Sequence, residues 1–362
     1  MKIHRKNIKY KYRRIGVGIT VFIAALSLVL VNLPRAQASQ LNKKYSFIKT
    51  NYTVPTSNVA WVATNGNDTS GNGSEGSPYA TFKKALSSIN NGGTVVAKSG
   101  IYREPHFFIS GDNVTIQAAP GAEVWLKGSD VVNSWTSENG IWKTTGNYHN
   151  FCHVCTTNAN PSVEGTAAYP EQVFINDEPL KQVKTKAEVT PGSNTFYVED
   201  NTPTTLKTPN NNADGYNIGQ QDAISYYIGK NPASGVTEIS ERARAFTSTG
   251  KNVSVKGINV AQYSPVQVWG FQDPYDPAAE RGVYSGPTAV SINGSGSLVQ
   301  DMIVTQSASQ GLFFNKAESS TARGVKAIDN GGSGVGANKS HNTVFTNGEL
   351  YGNNAEGFLT IG

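Results

Sequence analysis

Two lysines and one crowded loop are the residues whose types and spacing best suit them to chemistry. Lys316 and Lys339 each stand five residues after a glycine, Gly311 and Gly334, so any structure that superposes the glycines also stacks the lysines. Like charges in register are unfavourable unless they splay into water or face an anion. The pair is therefore either two solvated turn residues or a docking point for a negatively charged ligand. Between residues 269 and 286, Trp269, Phe271 and Tyr275 offer planes for stacking, and Asp273, Asp276 and Arg281 offer groups for hydroxyls or a cation. The same loop can equally pack onto its own domain to cover apolar surface. His149, Cys152, His153 and Cys155 put four potential zinc ligands within seven residues. That run is too compact for the separated half-sites of a structural zinc centre, so a local disulfide or two free thiols suits it better. No nucleophile elbow, phosphate loop or dinucleotide fingerprint occurs.

The frame that must hold these groups is an internal repeat. Gly311, Gly334 and Gly357 are 23 residues apart. One residue after each stands Leu312, Val335 or Phe358; seven before, Val304, Ala327 or Leu350; twelve before, Val299, Ala322 or Phe345. Four before each stands Ser307, Asn330 or Asn353. The segments lack a 3.6-residue period, so three short strands per repeat account for the spacing. The leucine-rich alternative fails because its Leu-x-x-Leu-x-Leu spacing is absent. Stacked rungs lie about 4.8 Å apart, which makes Ser307, Asn330 and Asn353 an inward ladder, with asparagine also tolerating the left-handed bend expected there. Lys326 and Glu349 fall in register as an ion pair. Val255, Ile258, Val260 and Val268 fit an earlier rung if residues 269–289 loop out. The fold is expected to be all-β, a right-handed parallel β-helix with an N-terminal capping α-helix.

That helix is the one good helical signal. Thr81 can cap it, Phe82, Ala85, Leu86 and Ile89 follow at helical spacing, and Asn91-Gly92-Gly93 stops it. Such a helix would cover the open end of a solenoid. Short strands are expected at 61–63, 94–97, 114–118 and 124–126. Residues 133–172 read as an irregular insertion. A hairpin is expected about Asn176-Asp177-Glu178-Pro179 with arms 172–175 and 180–183, followed by strands at 196–198 and 224–228. The β-helix domain is taken as 59–362, and regular rungs as about 250–362.

The first 38 residues hold Lys2, Arg5, Lys6, Lys9, Lys11, Arg13 and Arg14, then an apolar run from Ile15 to Val31, then Ala36-Gln37-Ala38. This order is that of a cleavable signal peptide, and the run sits at the short end of the roughly 17–25 residues needed to span a bilayer. The protein is thus expected to be secreted or at the cell surface, with no membrane association after cleavage. Residues 39–58 read as a linker. From Ser39 onward 23 basic residues face 26 acidic ones, a net charge of −3 that gives no electrostatic case for nucleic acid. Thirty-seven glycines beside abundant asparagine suit many short strands joined by tight turns. Two cysteines exclude a disulfide framework as the main source of stability. The mature chain is expected to be a monomer.

Trp61-Val62-Ala63, Gly66-x-Asp68, Ser77-Pro78-Tyr79-x-Thr81-Phe82-x-x-Ala85, Gly100-Ile101-Tyr102-Arg103-Glu104 and Ala119-Pro120-Gly121 resemble, in order, the opening segment of the pectate-lyase-like β-helix superfamily. Asn354-Ala355-Glu356-Gly357-Phe358 resembles the Asn-Ala-Asp-Gly-Phe rung of family 9 pectate lyases, where the aspartate belongs to a calcium site; here the acid is Glu356. The resemblance implies an acidic polysaccharide as partner, calcium as a possible cofactor and lyase chemistry, in which a cation acidifies the proton beside a uronate and a base removes it. It makes Glu356 a metal candidate, set against an ordinary solvated turn residue. Lys316, Lys339, Trp269, Tyr275 and Arg281 become candidate substrate contacts. The catalytic residues of that family would lie downstream of Gly362, where the chain stops in mid-rung, so the sequence reads as a fragment. The superfamily hosts many reactions, and a non-catalytic polysaccharide-binding surface or matrix protein is the alternative.

Overall fold

Glycine, asparagine and other turn-tolerant residues recur at three points in each rung, and these points set the architecture. The computed structural model describes residues 40–149, 151, 170–200, 221–265 and 288–361. The signal-peptide reading, Cys152, His153, Cys155, Val268, Trp269, Tyr275 and Arg281 lie outside them.

Three parallel sheets wind round one core. Sheet 1 contains Val59–Val62, Thr94–Ala97, Thr115–Ala118, Ser254–Lys256, Leu298–Gln300, Thr321–Arg323 and Val344–Thr346. Sheet 2 contains Gly100–Tyr102, Val124–Lys127, Ile258–Ala261, Ile303–Thr305, Lys326–Ile328 and Glu349–Tyr351. Sheet 3 contains Phe107–Ile109, Phe246–Ser248, Thr288–Ile292, Gln310–Asn315, Val335–Asn338 and Phe358–Ile361. The chain visits them in the order 1, 2, 3 and rises one rung per circuit, making a right-handed parallel β-helix.

The 23-residue register is observed directly. Leu312 pairs with Val335 and Val335 with Phe358; Val304 pairs with Ala327 and Ala327 with Leu350; Val299 pairs with Ala322 and Ala322 with Phe345. Alternation along the strands sends Val260, Val304, Leu312 and Val335 inward, where they join the main core. Lys326 and Glu349 form the expected ion pair at 3.0 Å.

The ladder is also present. Asn330 Oδ1 accepts from Ser307 N at 3.1 Å, and Asn330 Nδ2 donates to Val304 O at 3.2 Å and Asn353 Oδ1 at 3.0 Å. The glycine column makes room for it: a Cβ at Gly334 would meet Asn353 Nδ2 at 2.7 Å and Gly357 O at 3.0 Å. The left-handed bend sits one residue before its expected place, at Gln262, Gln306, Asp329 and Gly352, with φ of 64°, 52°, 55° and 67°. The asparagines cannot absorb it, because their side chains must turn inward to reach carbonyl groups. Asn330→Ala should destabilise by about 3 kcal/mol, since its neighbours are left with buried unpaired groups. Denaturant titration of the purified variant measures this, and unchanged stability would remove the ladder from the account.

Helix α2, Phe82–Ser88, begins where expected: Thr81 accepts from Lys84 N, and Phe82 and Ala85 are buried against the first rungs. Two carboxylates organise its start. Asp68 accepts from Ala80 N, Thr81 N and Thr81 Oγ1, and Glu104 from Phe82 N and Lys83 N. Both sit at the positive end of the helix. Gly66 is required beside them, because a Cβ there would lie 2.1 Å from Tyr79 O.

Two segments differ from expectation. Residues 40–58, read as a linker, hold helix α1 (Gln40–Lys44), and Leu41 and Tyr45 pack with Trp125, Ala261, Ile303 and Ile328 on the outer face of sheet 2. Tyr45 donates to Asp329 at 2.8 Å and Tyr52 to Asp301 at 2.5 Å, so this strap crosses several rungs. It turns onto sheet 1 over Gly257, which has φ +67° and where a Cβ would meet Thr50 Oγ1 at 2.9 Å.

The second difference lies between Lys127 of sheet 2 and Phe246 of sheet 3. There the chain leaves the solenoid and builds two further sheets. One orders Glu178–Pro179, Val173–Ile175, Thr237–Ser240 and Ser129–Val131. The other orders Lys181–Gln182, Thr195–Asp200, Gln221–Ile228, Ile141–His149 and Thr136–Glu138. Phe196, Ile224, Tyr226, Ile228 and Ile239 contribute to a separate core. The hairpin turn is Asn176-Asp177, both left-handed at φ 53° and 63°, and its return arm is Glu178–Pro179; residues 181–182 instead join the second sheet, in parallel with Thr195–Phe196. Residues 136–149, read as irregular, form an antiparallel pair about Asn139-Gly140. An Asn-Gly pair is a hairpin signal that the composition-based reading passed over.

Candidate functional site

The corner between sheets 2 and 3 is where the chain leaves its regular path after Lys127, to rejoin it at Phe246. Long departures from one side of a solenoid commonly wall its binding surface. Four short segments meet there: Arg103–His106, Ser129–Val131, Ser240–Arg244 and Gln262–Ser264.

A buried ion cluster anchors this departure to the solenoid. Lys127 Nζ lies 2.6 Å from both Asp177 Oδ1 and Glu238 Oε2. Glu238 also pairs with Arg103, and Gln262 Nε2 donates to Asp177 Oδ1 at 3.1 Å. Every member has a partner, so the cluster is a fastening.

Beside it the groups are less completely satisfied. Arg242 reaches Asp130 through both terminal nitrogens, at 2.8 and 3.2 Å. Glu241 Oε2 accepts from His149 N at 2.9 Å, whereas its Oε1 is buried with no hydrogen-bond partner among the described residues. The Tyr226 hydroxyl, on a fully buried side chain, likewise has none. Burial, reinforced by the charge of Asp130, pushes the Glu241 carboxyl up to about 7 against the His149 amide and Arg242, which lower it. Burial holds the His149 imidazole down at about 4, so it is neutral at pH 7, and its ring lies 4.3 Å from that of Phe151. The Tyr226 phenol, desolvated and close to Glu171 and Glu241, is pushed far up. Burial also raises Glu104 to about 7, despite its two amide donors. Chemically, Glu241 is a carboxyl that can give or accept a proton near neutrality.

The sequence-derived candidates divide. Lys316 and Lys339 do stack: Lys316 N donates to Asn338 O at 2.8 Å, both side chains are exposed, and both residues are left-handed, at φ 54° and 45°. Glu356 is exposed at the corner and accepts from Ser333 Oγ at 3.0 Å. It and Lys339 flank opposite ends of the sheet 3 strands, so the structure does not bring them together. Among the described residues no three His, Cys, Asp or Glu side chains converge to hold a metal. Of the proposed zinc run only His149 is described. Glu241, Arg242, Asp130 and Tyr226 carried no local sequence signal, because they come from segments far apart in the chain.

No family model matches the chain, and no curated protein sequence is significantly similar to it. Among solved structures, XylC in complex with xylose aligns with a TM-score of 0.62 at 17% identity, over 82% of this chain and 54% of that one. A glycoside hydrolase aligns at 0.48 and 14% identity, over 78% and 67% respectively. The pectate lyase Pel9A aligns at 0.38 and 14%, over 82% and 48%. The chain spans about half the length of the first of these. Identities this low bear on the fold alone, and that fold is the right-handed parallel β-helix of the three sheets described above.

Proposed function

We propose that the protein is exported, binds a polysaccharide along the corner between sheets 2 and 3, and cleaves it with Glu241 as the proton-transferring group. One observation carries the reading: Glu241 is partly buried, held near a pKa of 7, and keeps one carboxylate oxygen without a hydrogen-bond partner among the described residues, beside the corner where the chain leaves the solenoid after Lys127. A linear polymer suits this surface, because equivalent groups repeat every rung along the axis. The likeness to a protein solved with xylose supports a sugar as ligand. The sequence resemblance to pectate lyases at Asn354–Phe358 favours an acidic one. The charges of Arg242 and Asp130 act on the acid in opposite directions, and the His149 amide holds its other oxygen. Elimination from a uronate and hydrolysis of a glycosidic bond both draw on a group able to exchange a proton at neutral pH.

The test is turnover of a panel of polyuronates and neutral polysaccharides, followed both by new reducing ends and by unsaturated-uronate absorbance, with and without calcium. Wild type should cleave at least one acidic polymer. Glu241→Gln should lower kcat by about 10²–10⁴-fold while polymer binding persists. Full activity in that variant, or binding without turnover by wild type on any polymer, would sink the enzymatic reading, the latter in favour of a binding protein.

A further inference from the structure

Away from that corner, a cleft of about 600 Å³ opens at the turn between sheets 1 and 2. Its volume falls in the range of small-ligand sites. Val54 of the N-terminal strap, Trp61 of the first sheet 1 strand, Lys98 and Ser99 after the second, and Pro120 after the third line it. Trp61 points outward, since its neighbours Ala60 and Val62 are in the core, and its ring is only partly covered. Backbone bonds from Trp61 N to Gly73 O and from Tyr79 N to Trp61 O, 2.8 and 2.9 Å, hold the strand independently of the indole. The Lys98 ammonium stands 5.6 Å from the ring centroid, near the limit of a cation–π contact. It donates to Glu75 O at 2.7 Å and makes no ion pair among the described residues. Ser99 Oγ accepts from Glu123 N at 3.0 Å, which leaves its own proton free to donate. Gly121, at φ +71°, lines the same wall and disfavours any side chain that would narrow it.

An aromatic plane, an unpaired cation beside it and a hydroxyl donor, in one concave site, match the parts of an acidic pyranose: an apolar ring face, a carboxylate and hydroxyls. We propose that this cleft is a second saccharide-binding subsite, selective for a uronic acid residue, with Trp61 as stacking platform and Lys98 as carboxylate anchor. It rests on the polysaccharide reading above but not on its catalytic corner. Glu75 also lines the cleft and holds the Lys98 ammonium through its backbone oxygen. The strap contributes Val54, so the site depends on residues 40–58 being docked.

The test uses the full chain, with a short oligogalacturonate and a neutral xylo-oligosaccharide as probes in titration calorimetry. In a Glu241→Gln background, which suppresses turnover, the oligogalacturonate should bind more tightly than the neutral probe. Trp61→Ala should weaken oligogalacturonate binding at least tenfold, Trp61→Tyr should restore part of it, and Lys98→Gln should abolish the preference for the acidic probe. Circular dichroism confirms that each variant is folded. Unchanged affinity in folded Trp61→Ala overturns the subsite, whether or not wild type cleaves polymer. Trp61-dependent binding by a wild type that cleaves nothing upholds it while the catalytic reading fails.

Discussion

Lys127→Met should destabilise the protein by about 3–5 kcal/mol, the usual cost of stripping the cation from a buried ion pair. Lys127 is 1% exposed and is shared by Asp177 and Glu238, so its loss leaves both acids short of their cation in a dry junction. The methionine fills the space of the lysine stem, which keeps packing loss small and isolates the charge. Guanidinium unfolding gives the magnitude, and limited proteolysis near Gly128 reports whether the departure from the solenoid loosens first. The double variant Lys127→Met, Asp177→Asn should recover most of the loss, because Glu238 then keeps Arg103 as its cation. If the single variant matches wild type, the cluster is not what fastens the two further sheets to the β-helix.

Glu104→Gln should reshape the pH dependence of stability. The carboxyl sits near 7 in the folded protein against 4.5 for the free group, so between those values the folded state holds the proton more tightly than the unfolded one. Its contribution is complete below pH 4.5 and is lost as pH rises through about 7, at about 1.4 kcal/mol per unit and about 3 kcal/mol in all. Glutamine can accept through its single oxygen from only one of Phe82 N and Lys83 N, a loss that is the same at every pH, and it does not titrate. Relative to wild type, the variant should therefore gain stability steadily between pH 4.5 and 7 and then level off. Glu241 adds a slope of the same sign. His106 and His149 act oppositely: with folded values near 4 against 6.5, their contributions are complete above pH 6.5 and lost as pH falls through 4. The two slopes nearly cancel from pH 4.5 to 6.5 in the intact protein, so the single replacement is needed to expose either. Parallel wild-type and Glu104→Gln curves would show that α2 does not rest on a buried acid.

The motif residues near the start of the solenoid gain a physical meaning from this arrangement. Asp68 and Glu104, separated by 36 positions, converge on the first turn of α2, and Gly66 lets the chain pass Tyr79 closely enough for them to do so. That motif was visible in the sequence, whereas its geometry was not. The calcium reading of Glu356 came from a single rung motif, and the structure gives that side chain only Ser333 as a described hydrogen-bond partner.

Sequence alone determined the rung. Its residues interact with copies of themselves one circuit away, so spacing, inward positions, the Ser307–Asn330–Asn353 ladder and the Lys326–Glu349 pair all follow from one period. The capping helix was equally legible, because its cap and apolar face are local. Tertiary structure decided what has no period. His149 meets Glu241 across 92 positions, strand 221–228 pairs with 141–149, and Leu41 and Tyr45 find Trp125 on the outside of sheet 2. Such contacts form only after long loops close, and a stretch of sequence carries no record of which distant partner will repay that entropy. The repeating scaffold was therefore written along the chain, and the acid at its corner was placed by the fold.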